Sequence, residues 1–126
     1  MKRLRDASTG IAVAACVAAC AASPPAADVP RDVAHLPIAP YAEHEACIDG
    51  APGERLDYRW QASEPVDFTI RYREGGAMVA PVVREGSRGD SGLLELRLRE
   101  RYCVHWQAGP AGAVVDSRFV LKPPVP

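Results

Sequence analysis

Apolar and polar residues alternate most regularly between Leu56 and Tyr72. In this stretch every second residue is apolar, apart from a break at Ser63-Glu64-Pro65, and many of the apolar residues are aromatic or β-branched. Successive side chains of a strand point to opposite faces, so this period predicts strands with one buried face. The break divides the stretch into two predicted strands, which we expect to run antiparallel to each other and to begin the core.

Similar but shorter patterns predict the remaining strands. We expect them at Glu43–Ile48, Ala77–Arg84, Leu94–Leu98, Tyr102–Trp106 and Ala113–Leu121. About seven short strands at a spacing of roughly 8–12 residues are typical of a β-sandwich. The chain also contains 12 Pro and 10 Gly among its 126 residues and shows little helical periodicity. The predicted fold class is therefore all-β, an antiparallel β-sandwich.

Glycine and proline mark the predicted turns and edges. Gly75-Gly76 predicts a tight hairpin, because glycine adopts the positive φ angles that such a turn requires. Pro81 lacks a backbone N–H group, which places its strand at a sheet edge or at a bulge. Glu85–Gly92, with the sequence EGSRGDSG, is predicted to be a loop from its composition.

The N-terminus has the pattern of an export signal. Lys2, Arg3 and Arg5 form a cationic segment, and a short apolar segment follows from Ile11 to Ala19. Such an apolar segment is too short to span a bilayer stably and is typical of a signal peptide. The chain is therefore predicted to leave the cytoplasm.

Two copies of Val-Ala-Ala-Cys, ending at Cys16 and Cys20, resemble the bacterial lipobox. In a lipobox, signal cleavage leaves a cysteine at the new N-terminus, and this cysteine is acylated with fatty acids such as palmitate. Cys20 is the preferred lipidation site, because it allows the longer apolar segment and directly precedes a proline-rich stretch. The alternative is an ordinary secretory signal in which both cysteines are incidental. Several acyl chains on one cysteine hold a protein firmly to a membrane.

The sequence divides into three predicted regions, namely an export signal at 1–20, a linker at 21–40 and a folded domain at 41–126. The linker contains five prolines among many alanines. Proline cannot donate the hydrogen bond that helices and sheets need, so an extended, semi-rigid tether is expected there. This order of regions is that of a domain held to the periplasmic side of a bacterial envelope membrane.

The charge balance argues against nucleic acid as a partner. The formal net charge is -1. Removing Lys2, Arg3, Arg5 and Asp6 with the signal leaves 12 of the 15 basic and 15 of the 16 acidic side chains. A nucleic-acid-binding domain needs a concentrated basic surface. The arginines near the strands alternate with Asp and Glu, which predicts cross-strand ion pairs on a solvated face.

Cys47 and Cys103 are the only cysteines outside the signal. An exported chain meets an oxidising compartment, so a disulfide between them is predicted. The competing interpretation is a metal site, because His44 and His105 lie near the two cysteines in sequence and could complete a Cys₂His₂ set for zinc. No cofactor and no metal is assigned in the preferred interpretation.

The pattern of residues resembles that of the GOLD (Golgi dynamics) domain, a β-sandwich best known from cargo receptors of the early secretory pathway. In that family an early Cys precedes an aromatic-rich strand, an apolar-x-Phe-x-Ile strand, a hairpin with a Gly-rich loop, and a Tyr-x-x-Cys-aromatic strand whose Cys pairs with the early one. The corresponding residues are Cys47, Tyr58, Trp60, Val66-Asp67-Phe68-Thr69-Ile70, Tyr102-Cys103 and Trp106, although Tyr102 directly precedes Cys103 here. The resemblance implies a β-sandwich with a generic protein- or lipid-binding role.

An enzymatic function is not predicted. Gly89-Asp90-Ser91-Gly92 resembles the nucleophile motif of chymotrypsin-like proteases, but the domain is far too short for that fold and no histidine lies in a catalytic motif. The sequence therefore predicts a lipid-anchored, non-enzymatic binding or structural module of the cell envelope with a possible protein partner. The alternative is a periplasmic metal-handling protein.

Overall fold

A computed structural model describes residues 29–126, and the predicted export signal and Cys20 lie outside this range. The described chain forms six strands and no helix, so no helix within residues 29–126 is long and apolar enough to cross a membrane. The strands are β1 (Val29–Ile38), β2 (Glu43–Gly50), β3 (Arg55–Glu74), β4 (Ala77–Glu95), β5 (Glu100–Ala108) and β6 (Ala113–Lys122).

The architecture depends on the long strand β3. One edge of β3 pairs with β4 along its whole length. The other edge pairs with β6 at Arg55–Ala62 and with β5 at Val66–Arg71. Strand β1 continues the sheet beyond β6, and β2 continues it beyond β5. The result is one antiparallel sheet that curls into two facing halves, so the predicted all-β, sandwich-like class is confirmed in the form of a half-barrel.

The prediction of two antiparallel strands within Leu56–Tyr72 is wrong, because both belong to the single strand β3. They run in the same direction and lie in the two different halves of the sheet. At the predicted break, the register with β4 shifts between Gln61 and Val66, and the partner on the other edge changes from β6 to β5. The break therefore bends the strand without reversing it.

The predicted loop Glu85–Gly92 is also wrong, because it is part of β4 and pairs with β3. Its glycines allow close approach instead of forming a turn. Gly92 lies opposite Tyr58, and a Cβ atom at this position would lie 2.6 Å from the tyrosine hydroxyl oxygen. Gly86 has a φ of 57° and donates its N–H group to Asp67 Oδ1 at 2.9 Å, which accommodates an irregularity in the ladder.

The predicted strand Leu94–Leu98 does not form. Strand β4 ends at Glu95, and Leu96 is buried in the connection that follows. The Tyr102 hydroxyl donates to the Leu98 carbonyl at 2.8 Å and accepts from the Leu98 N–H group at 3.2 Å. Burial raises the pKa of Tyr102, so its hydroxyl stays protonated and able to donate. These bonds satisfy the backbone of a bend where the alternation of leucines predicted a strand.

The sheet also begins earlier than expected. Strand β1 lies within residues 21–40, which the sequence assigned to a linker, and it pairs with β6 from Val29 to Ile38. The expectation of a tether without sheet hydrogen bonds is therefore wrong for this segment. Its prolines are tolerated because β1 is an edge strand, and the register shifts between Val33 and Leu36.

Other predicted features are confirmed. Gly75 and Gly76 form the hairpin between β3 and β4 with φ angles of 58° and 85°. Strand β4, which contains Pro81, lies at a sheet edge. The alternation of buried and exposed residues also agrees with the predicted parity in β3 and, apart from the buried His105, in β5.

The core joins the two halves through aromatic side chains. Phe68 lies between Trp60 and Trp106, with ring centroids 4.9 and 5.6 Å apart. Trp106 also packs against Phe119 of the other half at 5.8 Å. Each of these pairs contributes beyond its buried area, and together they hold the halves face to face.

We expect truncation of this aromatic core to destabilise the domain strongly. Trp60→Ala and Phe68→Ala should each lower the free energy of unfolding by about 3–5 kcal/mol, the range for a buried aromatic. Arg59→Ala, on the opposite face of the same strand, should change it by less than about 0.5 kcal/mol. Urea denaturation measures all three values, and similar losses for Trp60 and Arg59 would contradict the assigned faces of β3.

Candidate functional site

A cleft opens into the core between the edge strands β1 and β2. Among the described residues these two strands pair only with β6 and β5 and not with each other, so the curled sheet stays open on this side. The cleft has a volume of about 230 Å³. It is lined by Arg31, Val33, Leu36, His44, Ala46, Ile48, Leu56, Val104, Trp106, Ser117 and Phe119.

The lining of this cleft is largely apolar, with a few polar groups. Leu56, Trp106 and Phe119 belong to the buried core, and the His44 ring lies 6.0 Å from the Trp106 ring. The indole Nε1 of Trp106 is buried and has no hydrogen-bond partner among the described residues. Apolar walls with few polar groups are typical of binding sites, and pockets for drug-sized ligands measure roughly 300–1,000 Å³. The cleft therefore fits a smaller group, such as one apolar side chain or part of an acyl chain.

The opposite face of the same half carries the disulfide. Cys47 of β2 and Cys103 of β5 lie directly opposite each other with their Cα atoms 4.0 Å apart, and their sulfurs are bonded. The predicted pairing of these cysteines is confirmed. The bond fixes the register of β2, which holds few buried residues of its own.

Charged side chains surround the disulfide. Arg71 pairs with Glu45 at 3.0 Å, and His105 Nε2 lies 3.6 Å from Glu43 Oε2. Arg73 and Arg101 line the same shallow depression, of about 340 Å³. The predicted ion pairing across strands is thus found here, although an exposed pair stabilises a fold by only about 0–1 kcal/mol.

The structure does not bring together the four residues of the alternative zinc site. His44 points into the cleft, whereas Cys47, Cys103 and His105 belong to the opposite face of the sheet. The two sulfurs are also bonded to each other, so neither is a thiolate that could bind zinc. The only close group of possible metal ligands in residues 29–126 is Glu45 with the same two cysteines. The disulfide likewise removes two of its three members.

Sequence reasoning missed the cleft for one reason, although part of its lining could have been recognised. The prolines of β1 indicated a linker, so one wall of the cleft was not predicted to be part of the sheet. The parity of β2 did contain a signal, because His44, Ala46 and Ile48 share the face opposite Cys47. Cys20, the predicted lipidation site, lies outside the described residues and stays a prediction.

Comparison with models of known protein families finds no match, and comparison with curated protein sequences finds none either. Among solved structures, PliG from Aeromonas hydrophila, a periplasmic lysozyme inhibitor of g-type lysozyme, is 16% identical with a TM-score of 0.46, over 75% of this chain and 83% of that one. A de novo designed double-stranded β-helix is 16% identical with a TM-score of 0.35, over 77% of this chain and 100% of that one. These likenesses identify neither a family nor a function, and the resemblance to the GOLD domain stays unconfirmed.

We expect loss of the disulfide to destabilise the domain substantially. The sequence separation of 56 residues corresponds to about 4 kcal/mol in the chain-entropy model. Replacing Cys47 and Cys103 together by Ser should therefore lower the melting temperature by about 15 °C or more.

Thermal unfolding of the purified, oxidised protein, monitored by circular dichroism, measures this change. Reduction should have the same effect as the double substitution, whereas EDTA should have none. A melting temperature that falls with EDTA, or that is unchanged by reduction, would contradict a structural disulfide.

Proposed function

We propose that this chain is an exported, lipid-anchored binding module of a bacterial envelope that holds an apolar group of a partner in the cleft between β1 and β2. The observation that carries the proposal is the cleft itself, an apolar recess at the open side of an otherwise closed core. The role is non-enzymatic, and it agrees with the protein- or lipid-binding role that a GOLD-like domain implies.

Two features support a location outside the cytoplasm. The disulfide between Cys47 and Cys103 is of the kind that persists in oxidising compartments such as the bacterial periplasm. The first 20 residues have the charge and apolar pattern of a signal that ends in a lipobox. Both features favour the periplasmic side of an envelope membrane.

The position of β1 limits how far the domain would lie from its anchor. Eight residues, and so nine Cα–Cα steps, separate Cys20 from Val29, where the sheet begins. A chain spans at most about 3.3–3.6 Å per residue, so the connection reaches at most about 30 Å. An anchored domain would therefore stay close to the membrane surface, where lipids and the exposed parts of other envelope proteins are within reach.

We expect the lipid anchor to depend on Cys20. If Cys20 is acylated, Cys20→Ala should move the protein from the membrane fraction to the soluble periplasmic fraction, because several acyl chains provide stable attachment. Cys16→Ala is the matched control and should leave the protein in the membrane fraction. Fractionation followed by immunoblotting measures this distribution, and the reverse result would assign the anchor to Cys16.

We expect the cleft to bind a small amphipathic probe such as 8-bromooctanoate. Its chain enters an apolar cavity beside Trp106, so the bromine should quench tryptophan fluorescence in a saturable way. Ala46→Trp fills the mouth of the cleft and should weaken probe binding at least about tenfold, the equivalent of about 1.4 kcal/mol. Ala80→Trp, at an exposed position of β4, is the control.

The number of tryptophans differs between the variants and the original protein, so quenching amplitudes cannot be compared directly. The concentration of unbrominated octanoate that reverses half of the quenching gives an affinity for each variant that does not depend on its tryptophan content. Equal affinities of the Ala46 and Ala80 variants would contradict binding in the cleft, and so would quenching that does not saturate.

A further inference from the structure

The three edge strands of the sheet differ in how they are protected against pairing with another chain. Strand β1 contains Pro30 and Pro37, a register shift and a positive φ at His35. Strand β4 contains Pro81, a positive φ at Gly86 and several register shifts. Prolines and bulges are the usual devices that prevent an edge from adding a strand.

Strand β2 has none of these devices. All eight residues from Glu43 to Gly50 pair with β5 without a register shift, and none is proline or has a positive φ. Among the described residues, the far edge of β2 has no partner strand. One regular edge has thus been left open in a sheet whose other two edges are interrupted.

The free edge presents a regular row of hydrogen-bonding groups. The Ala108 N–H group donates to the Ala42 carbonyl at 3.0 Å, so this pair is hydrogen-bonded. Hydrogen-bonded and non-hydrogen-bonded pairs alternate along an antiparallel ladder, and the Cα distance of 4.0 Å at Cys47 agrees with a non-hydrogen-bonded pair. The N–H and C=O groups that point away from β5 are therefore those of Glu43, Glu45, Cys47 and Asp49.

We propose that the free edge of β2 binds an extended segment of a partner protein in which apolar residues alternate with Lys or Arg. The proposal rests on the binding function proposed above and specifies its partner class. A strand added at this edge lies about 4.8 Å from β2 and continues its alternation of faces. Its inward side chains follow the face of His44, Ala46 and Ile48, which line the cleft, so the segment supplies the apolar group that the cleft holds.

The outward side chains of the added strand meet carboxylates. Glu43, Glu45 and Asp49 are exposed on the outer face of β2. His105 lies beside Glu43, Arg71 pairs with Glu45, and Arg101 lies opposite Asp49, all on the β5 side of β2 and away from its free edge. On the outer face, the charged residues of the strand next to an incoming one are therefore all acidic, and they favour basic residues directly opposite them.

The same charges argue against a second copy of this chain as the occupant. Two β2 strands can pair antiparallel with their outer faces aligned. In the two registers that pair most of the strand, Asp49 of one copy lies opposite either Glu45 or Glu43 of the other copy. Like charges directly opposite each other destabilise a strand pair. A basic segment of a different protein satisfies the same backbone groups without this repulsion.

Hydrogen exchange measured by NMR on the purified exported protein tests the proposal. The probe is an eight-residue synthetic peptide of alternating Ile and Lys, and the control peptide alternates Ile and Glu. At about ten times its Kd, the Ile/Lys peptide should slow exchange of the Glu45 and Cys47 amides about tenfold. Edge amides of β4 should be unaffected. The Ile/Glu peptide should bind at least about tenfold more weakly.

Two variants separate the backbone contribution from the charge contribution. Glu45→Pro removes one N–H donor from the free edge and should weaken both peptides. The double variant Glu43→Lys with Asp49→Lys keeps the backbone and should reverse the preference in favour of the Ile/Glu peptide. An unchanged preference in the double variant would overturn the charge assignment, even if Glu45→Pro fails to fold.

The remaining outcomes identify other occupants. Protection of these amides without peptide would assign the edge to a second copy if it depends on protein concentration, and to the chain itself if it does not; both would overturn the proposal. Protection on β1 or β4 instead, or no protection, would overturn it as well. If 8-bromooctanoate still quenches Trp106 in that case, the cleft function stands and only the edge proposal fails.

Discussion

The fold depends on one strand that serves two different partners along the same edge. Strand β3 pairs with β6 before its bend and with β5 after it, while β4 follows its other edge throughout. Because the partner of β3 changes from β6 to β5 at residues 62–65, one continuous sheet forms two halves. The apolar face of each half is covered by the other, and the cluster around Phe68 fills the space between them. The cleft lies between β1 and β2, where the two halves no longer cover each other.

Side-chain parity could be predicted from the sequence, whereas partner choice could not. The period of two in Leu56–Tyr72 correctly assigned buried residues, because parity is a local property of a strand. Whether Ser63-Glu64-Pro65 reverses the chain or bends it depends on β5 and β6, and the nearer of these strands begins only at Glu100. The break therefore looked like a turn.

The glycines and prolines led to two wrong predictions for a related reason. Their composition predicted a loop at Glu85–Gly92 and a tether before Tyr41, yet both regions contain strands at sheet edges. At an edge, proline removes no required hydrogen bond, and Gly92 makes room for the ring of Tyr58. The disulfide was predictable because only two cysteines follow the signal. The cleft was not predictable, because one of its walls is strand β1, which the proline-rich composition had assigned to a linker.

The pairing of β1 with β6 has a consequence for the order of synthesis. Val29 pairs with Leu121, so the first described strand can form its sheet hydrogen bonds only after the last strand has been synthesised. Strand β2 waits similarly for β5. Apart from the β3–β4 hairpin, every ladder joins segments far apart along the chain, a topology that folds slowly. A polypeptide that emerges from its N-terminus first can complete neither half of the sheet until nearly its whole length is available. If the chain is exported as proposed, slow completion of the sheet leaves more time for it to cross a membrane unfolded.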